Sequence, residues 1–136
     1  MSKLYLAAGA LAATLVLGTA GIAVGHTTSF QSEVTIELTT GAQDKFKGEV
    51  LSAKAKCIPN RLVKVFLVEG ADPNPPTDTP VGKDTTNNNG RYRVIPAGGV
   101  ASPGDFYARV KQRNIGRNGH KHICEADNSP EVTNGP

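Results

Sequence analysis

The chain of 136 residues has few of the residue types that many binding proteins depend on. It contains no tryptophan, and aromatic residues make up only 5% of it, so a stacking surface for sugars is not expected. Its formal net charge is only +3. That charge is too small to indicate nucleic acid as a partner.

The motifs of common catalytic sites are missing as well. The sequence contains no Gly-x-Ser-x-Gly, no His-Glu-x-x-His and no glycine-rich phosphate loop before a helix. Aspartates and asparagines are frequent in the expected loops, but their spacing matches no calcium loop. The sequence therefore predicts a protein that is not an enzyme and needs no cofactor.

The N-terminal segment has the features of an export signal. Met1-Ser2-Lys3 is a short cationic start, and residues 4–24 contain no charged residue. Ala23-Val24-Gly25 fits the small-x-small pattern of a signal-peptidase site, which predicts a signal peptide over 1–25 and a domain over 26–136, with cleavage after Ala20 or Ala23 as the alternatives. The apolar run is also just long enough to span a bilayer, so an uncleaved anchor is the alternative. Either form predicts a secreted or extracytoplasmic, cell-surface protein, with membrane contact only through this segment.

Cys57 and Cys124 are the only two cysteines. In an exported domain such a pair favours a disulfide bond. A bond that closes so long a loop stabilises a fold by roughly 4 kcal/mol in the chain-entropy account.

Strand-like alternation of apolar and polar residues recurs after the leader. Three sets of inward side chains are clear: Val34, Ile36 and Leu38; Phe46, Gly48 and Val50; Val63, Val65 and Leu67. Turn residues recur every 8–12 positions, and about seven strands are expected. The sequence therefore predicts an all-β sandwich of immunoglobulin-like or transthyretin-like type after an N-terminal apolar leader helix.

Residues 85–110 carry the most distinctive pattern. An Asn-Gly turn precedes a strand at 91–95, and a Pro-Gly turn precedes a second strand at 105–113. Tyr92 and Phe106 are expected to point into the core. The pattern predicts a unit that resembles a β-hairpin.

This pattern resembles the transthyretin-like or carboxypeptidase-regulatory-like domains, which are related to collagen-adhesin B-type repeats. The matching residues are Thr85, Thr86, Asn89, Gly90, Tyr92, Pro103, Gly104, Phe106, Tyr107 and Val110. The resemblance implies a β-sandwich that serves as a non-catalytic module, stiffening, spacing or attaching other proteins outside the cell.

A basic surface is expected opposite the core residues of the same two strands. The span 91–121 holds seven basic residues and one acid. If the two strands are neighbours, their outward side chains form one stripe. The predicted binding residues are Arg91, Arg93, Tyr107, Arg109, Lys111 and Arg113.

Three histidines offer an alternative site. Cleavage after Gly25 would leave His26 with a free α-amine and an imidazole, a chelate that suits Cu(II). His120 and His122 would add imidazoles. The simpler interpretation is a solvated terminus and a solvated loop, with no metal bound.

The predicted function is an exported structural or interaction module whose basic face contacts an anionic cell-envelope polymer or an unidentified protein. The alternative is a small exported copper-binding protein. Its oligomeric state is not indicated by the sequence.

Overall fold

The computed structural model describes residues 25–117 and 119–136, and the predicted leader lies outside them apart from Gly25. Strands dominate the described residues, whose two 3-10 helices span only Ala55–Cys57 and Ala97–Gly99. The predicted all-β class is therefore confirmed. Within the described ranges, no helix has the length and apolar character that crossing a membrane requires.

The described residues form twelve strands, more than the seven or so predicted, because many of them are very short. Their bounds are β1 Thr27–Phe30, β2 Glu33–Val34, β3 Glu37–Thr39, β4 Lys45–Leu51, β5 Leu62–Leu67, β6 Thr79–Thr85, β7 Arg91–Val94, β8 Gly104–Val110, β9 Arg113–Asn114, β10 Lys121–Cys124, β11 Asp127–Asn128 and β12 Val132–Asn134. Of the longest strands, β4, β5 and β8 coincide with segments of predicted strand.

Two sheets face each other across the core. In the first, which we call the β5–β8 sheet, β6 pairs with β5, β5 with β8, and both β11 and β12 with β8. In the second, the β4 sheet, β4 pairs with β2 and β3 and also with β7. All of these pairings are antiparallel. The predicted sandwich is therefore present.

The core consists of the alternating side chains of both sheets. The β4 sheet contributes Val34, Phe46, Val50, Tyr92 and Val94 to the core. The β5–β8 sheet contributes Val63, Val65, Phe106, Ala108 and Val110. The rings of Phe46 and Phe106 meet at a centroid distance of 4.8 Å. Such alternation buries one face of each strand and leaves the other face free for polar residues.

The expectation of a hairpin-like unit over residues 85–110 is wrong. Strand β7 pairs with β4, whereas β8 pairs with β5, so the two strands belong to different sheets. The nine residues between them, 95–103, are longer than the two to five residues of common hairpin loops. Because both strands carry inward apolar side chains, they contribute to the core from opposite sides.

The Asn-Gly turn itself forms as expected. Gly90 has φ 80°, a conformation that favours glycine. The Asn87 side-chain oxygen accepts hydrogen bonds from the amides of Asn89 and Arg91. The turn therefore carries the chain from the β5–β8 sheet at β6 to the β4 sheet at β7.

The predicted first strand is interrupted between β2 and β3. At this point the Thr35 hydroxyl accepts a hydrogen bond from the Glu49 amide at 2.9 Å. The Tyr92 hydroxyl donates to the Thr35 carbonyl at 2.6 Å. Burial raises the pKa of Tyr92 well above its ordinary value.

A third, three-stranded sheet, which we call the β10 sheet, joins the beginning of the described chain to residues 113–124. Strand β1 runs parallel to β10, and β9 pairs with β10 on the other side. Cys124 at the end of β10 forms a disulfide with Cys57, which confirms the predicted pairing. The sequence predicts a solvated terminus at His26 and no strand next to it, so β1 is an addition to the predicted strands.

Candidate functional site

The predicted basic stripe does not form as one surface. Arg91 and Arg93 lie on β7 in the β4 sheet, whereas Arg109 lies on β8 in the other sheet. Outward side chains of the two sheets of a sandwich point in opposite directions. The predicted stripe is therefore divided between two faces.

The part of the stripe on β7 is mixed in charge. The Arg91 guanidinium forms an ion pair with Glu49 at 2.9 Å, and Lys47 pairs with Glu37 at 3.3 Å. Arg93 lies directly opposite Lys47 in the pairing of β7 with β4. Because glutamates alternate with the cations, this face has no large excess of positive charge.

The prediction that Tyr107 contacts a ligand at the surface is wrong, because its side chain is fully buried. Its ring stacks on Phe66 at a centroid distance of 5.4 Å. The proline-rich loop between β5 and β6 supplies Asp78, whose carboxylate accepts a hydrogen bond from the Tyr107 hydroxyl at 2.9 Å. Sequence alternation correctly places Tyr107 on the outer face of β8 but does not reveal the loop that covers it.

Asp78 is an anchor of that loop. Its carboxylate also accepts hydrogen bonds from the backbone amides of Glu69 and Asn74. Burial alone would raise the pKa of Asp78, but the two amides and the Tyr107 hydroxyl outweigh it and hold the pKa below its ordinary value. The carboxylate is thus ionised at neutral pH, with its oxygens already engaged.

A row of cations crosses the outer face of the β5–β8 sheet. Lys64 of β5 lies directly opposite Lys83 on β6 and directly opposite Arg109 on β8. Residues in such positions have Cβ atoms about 4.5–5.5 Å apart, and like charges there are destabilising. We call Lys83, Lys64 and Arg109 the cationic row.

No carboxylate of the described residues forms an ion pair with the cationic row. Arg109 instead donates a hydrogen bond from Nη1 to the Asn128 side-chain oxygen at 2.8 Å. This neutral partner fixes the guanidinium without neutralising it. The row therefore carries uncompensated positive charge, which the fold itself does not require.

A groove of about 460 Å³ borders the row. Its lining combines three cations with one aromatic residue, three prolines and one carboxylate: Lys64, Arg109, Lys111, Phe66, Pro75, Pro76, Pro80 and Asp78. The Phe66 side chain is largely buried, with a relative exposure of 7%. The groove thus offers cations beside rigid apolar walls.

Two of the six predicted binding residues meet in this groove, Arg109 and Lys111. Arg113 lies on β9 and donates a hydrogen bond to the Pro59 carbonyl at 2.9 Å, so it belongs to another part of the molecule. Lys64 and Lys83 were missed. The alternation of β5 and β6 places them on outward positions, but only the pairing register brings them beside Arg109.

A third unforeseen residue is Arg61, whose side chain is fully buried. Its guanidinium donates four hydrogen bonds, and three of the acceptors are backbone carbonyls, those of Cys57, Lys111 and Glu125; the fourth is the Ser32 hydroxyl. Burial, and then the nearby charge of Arg113, lowers the pKa of Arg61. Arg61 therefore ties the disulfide loop to the ends of β8 and β10.

The parallel pairing of β1 with β10 brings two of the three histidines together. His26 Nε2 lies 3.4 Å from His120 Nδ1. His122 packs edge-on against Phe30, at a centroid distance of 5.5 Å. Over residues 25–117 and 119–136, no three histidine, cysteine or acidic side chains are grouped closely enough to hold a metal ion.

Comparisons of the chain with protein-family models, curated proteins and solved structures give no match. The transthyretin-like resemblance of residues 85–110 therefore stays a prediction. The architecture of two facing sheets does not depend on it.

Proposed function

We propose that this protein is an exported, non-catalytic interaction module that binds an anionic polymer of the cell envelope through the cationic row. The observation that carries the proposal is the alignment of Lys83, Lys64 and Arg109 across three neighbouring strands. Like charges at directly opposite positions reduce the stability of a sheet. A polyanion would offset that repulsion.

The shape of the surface favours an extended ligand over a single small ion. The row runs across the strands, and adjacent strands lie about 4.8 Å apart, so three cations span roughly 10 Å. Lys111 continues the positive charge along the groove. A chain with a negative charge on each repeating unit would meet several of these cations at once, which gives avidity from weak contacts.

The groove contains one acidic residue, Asp78, but it does not oppose this role strongly. Its carboxylate accepts three hydrogen bonds, and its side chain lies beneath the surface. The disulfide between Cys57 and Cys124 is compatible with an oxidising, extracytoplasmic location. The transthyretin-like resemblance supports a module that attaches to other material outside the cell.

Charge reversal on the two faces of the sandwich tests the proposal. The double variant Lys64→Glu/Arg109→Glu should lose binding to immobilised dextran sulfate in low salt, and wild-type binding should weaken as salt rises. The matched control is Arg91→Glu/Arg93→Glu, which makes the same change of charge on the β4 sheet. It should retain binding to within about twofold.

Two results would overturn the proposal. Equal losses in both double variants would show that only net charge matters. Binding to anionic phosphatidylglycerol vesicles but not to dextran sulfate would assign the face to lipid instead. Uncharged dextran serves as the negative control.

One observation favours a second candidate function, copper binding. The facing nitrogens of His26 and His120 are 3.4 Å apart. Two imidazole nitrogens that share a metal at about 2.0 Å each are separated by roughly 3 Å. The pair is thus close to the spacing of two metal ligands, and the α-amine of a chain that begins at His26 would add a third.

A further inference from the structure

A second cavity, of about 720 Å³, opens beside the disulfide loop and is separate from the groove of the cationic row. The titratable side chains in its lining are all basic: Lys56, Arg113, Arg117, His120 and His122. No acidic residue belongs to the lining. We propose that this basic pocket binds a compact tetrahedral oxyanion, such as the phosphoryl or sulfuryl group of an ester.

The register of the β10 sheet brings four of these side chains, those of the two arginines and the two histidines, to one face. Arg117 forms an isolated bridge with His120, and the Ile115 amide donates to the His122 carbonyl at 2.9 Å. Arg113 lies opposite Cys124. Directly opposite residues share a face of a sheet, and alternate residues of one strand do so as well. Arg113, Arg117 and both histidines are therefore directed to the same side.

Arg113 is held in place at the edge of the pocket. Its Nη1 donates to the carbonyls of Pro59 and Asn60 at 2.9 and 3.3 Å. Its Nε and Nη2 atoms make no hydrogen bond to the described residues, so those donors can reach a ligand. A guanidinium presents its donors in a planar fork that matches two oxygens of a phosphate or sulfate.

The loop that forms one wall of the pocket is fixed on both sides. Lys56 and Pro59 flank Cys57, which is joined by the disulfide to β10. Asn60 adopts φ 55°, the sole residue other than glycine with positive φ in the described chain, and such conformations persist where the surroundings hold them. Next to it, buried Arg61 hydrogen-bonds to the Cys57 carbonyl at 2.7 Å. A binding site on so restrained a loop loses little entropy when the ligand binds.

The electrostatics of the pocket favour an anion. Lys56, Arg113 and Arg117 form no ion pair with any carboxylate of the described residues. Burial, and then the nearby charge of Arg113, lowers the pKa of Arg61, the neighbour of Asn60 in the pocket wall. An oxyanion beside Arg113 would provide the missing negative charge.

Titration with inorganic phosphate and with sulfate tests the pocket directly. The full chain, kept in EDTA, should bind either ion in calorimetry, and the imidazole proton signals of His120 and His122 should shift in the same titration. Arg117→Gln should weaken binding at least tenfold, and Lys56→Gln by a smaller factor. Both residues are exposed at the surface, and unchanged melting curves would establish that the variants fold.

Two control variants separate this pocket from the other sites. Lys83→Gln removes one charge from the cationic row and should leave phosphate affinity within twofold of wild type. His26→Ala removes the copper ligand that lies outside the pocket and keeps His120, which lines it, so phosphate affinity should likewise stay within twofold. Acetate, a planar monoanion, should bind much more weakly than phosphate.

The proposal is overturned if Arg117→Gln binds phosphate like the wild type, or if Lys83→Gln loses as much affinity as Arg117→Gln. It is also overturned if phosphate produces no heat and no shift in the histidine signals. Because the cationic row is not part of the pocket, a failure of phosphate binding would leave the polymer-binding proposal standing. A failure of polymer binding would likewise leave the pocket proposal standing.

Discussion

The hydroxyl of Tyr107 on β8 donates a hydrogen bond to the carboxylate of Asp78 at 2.9 Å, although 29 residues separate them in the chain. This bond attaches the proline-rich loop to the outer face of the β5–β8 sheet. The loop in turn forms the wall of the groove beside the cationic row. A residue predicted to touch a ligand thus supports the groove instead.

Removal of this hydroxyl should produce a pH-dependent loss of stability. The folded-state pKa of Asp78 lies below its ordinary value of 3.8. The stabilisation is therefore fully present above that ordinary value and is lost as the pH falls through the folded-state pKa. Tyr107→Phe should lower the melting temperature by about 5 °C at pH 7. The difference from wild type should shrink between pH 4 and pH 2.

Tyr92→Phe is the matched control, because the Tyr92 hydroxyl donates to a neutral backbone carbonyl, that of Thr35. The melting temperature of Tyr92→Phe should lie below that of wild type by nearly the same amount at pH 7 and at pH 3. Denaturation curves of the three proteins across this range give the comparison. A Tyr107→Phe deficit that does not vary with pH would contradict the importance of the ionised Asp78 carboxylate.

Gly48 should be intolerant of a side chain. A Cβ atom at this position would lie 2.1 Å from the Thr35 carbonyl oxygen, which is backbone and cannot move aside easily. It would also approach the Tyr92 hydroxyl to 2.8 Å. Gly48→Ala should therefore lower the free energy of unfolding by about 1–3 kcal/mol, a usual range for overpacking. Urea denaturation provides the measurement.

Gly41→Ala makes the same chemical change where there is space. No atom outside its chain neighbours lies within 4 Å of a Cβ at this position. Its stability should stay within about 0.5 kcal/mol of wild type, as for most surface substitutions. If the two alanine variants were equally stable, the close approach of β2, β4 and β7 would not be needed for the fold.

Arg61 should not be replaceable by lysine. The guanidinium reaches four acceptors at 2.7–3.0 Å on four separate segments. A lysine ammonium has three donors and a different shape, so at least one buried acceptor would be left unpaired. Arg61→Lys should cost about 2–4 kcal/mol of unfolding free energy. Guanidinium denaturation under non-reducing conditions would measure the loss.

Arg91→Lys provides the comparison for an exposed arginine. Its ion pair with Glu49 lies at the surface, and such pairs contribute about 0.2–1 kcal/mol. The lysine variant should therefore change stability little. Similar losses at positions 61 and 91 would count against a special role of the buried guanidinium.

Local periodicity was sufficient to predict much of the core. Phe46, Val50, Val63, Val65 and Phe106 follow the alternating pattern, and all five are buried where it places them. Alternation works here because each strand has one face toward the opposite sheet. The disulfide was predictable for a different reason, since only two cysteines exist.

Strand pairing was the main property that the sequence did not reveal. Arg91 and Arg109 have the same local pattern, yet they belong to different sheets because β7 pairs with β4 and β8 with β5. Lys64 became part of the candidate site only through its register with Lys83 and Arg109. Register depends on contacts between distant segments, and no local rule reports them.

The short strands β1, β9 and β11 were also missed, since two to four residues carry little periodic signal. The segment of His26 was expected to be a solvated terminus, but β1 pairs with β10 and carries His26 to His120. The copper hypothesis therefore has a structural basis that the sequence did not provide. It still requires that the exported chain begin at His26.

Copper titration of the purified protein tests that hypothesis. The mass of the purified chain establishes whether His26 is the first residue and whether the disulfide is formed. If it is the first residue, Cu(II) should bind with a sub-micromolar Kd, because the α-amine and two imidazoles act together. His26→Ala and His120→Ala should each weaken binding at least tenfold.

His122→Ala is the control, because the His122 ring packs on Phe30 and not on the His26–His120 pair. It should keep the affinity of the wild type, and electron paramagnetic resonance should show the same nitrogen ligands in both proteins. A secreted chain that begins elsewhere should bind copper far more weakly, since the α-amine is then absent. Tight binding that persists in His26→Ala would place the metal at another set of ligands and refute the proposed pair.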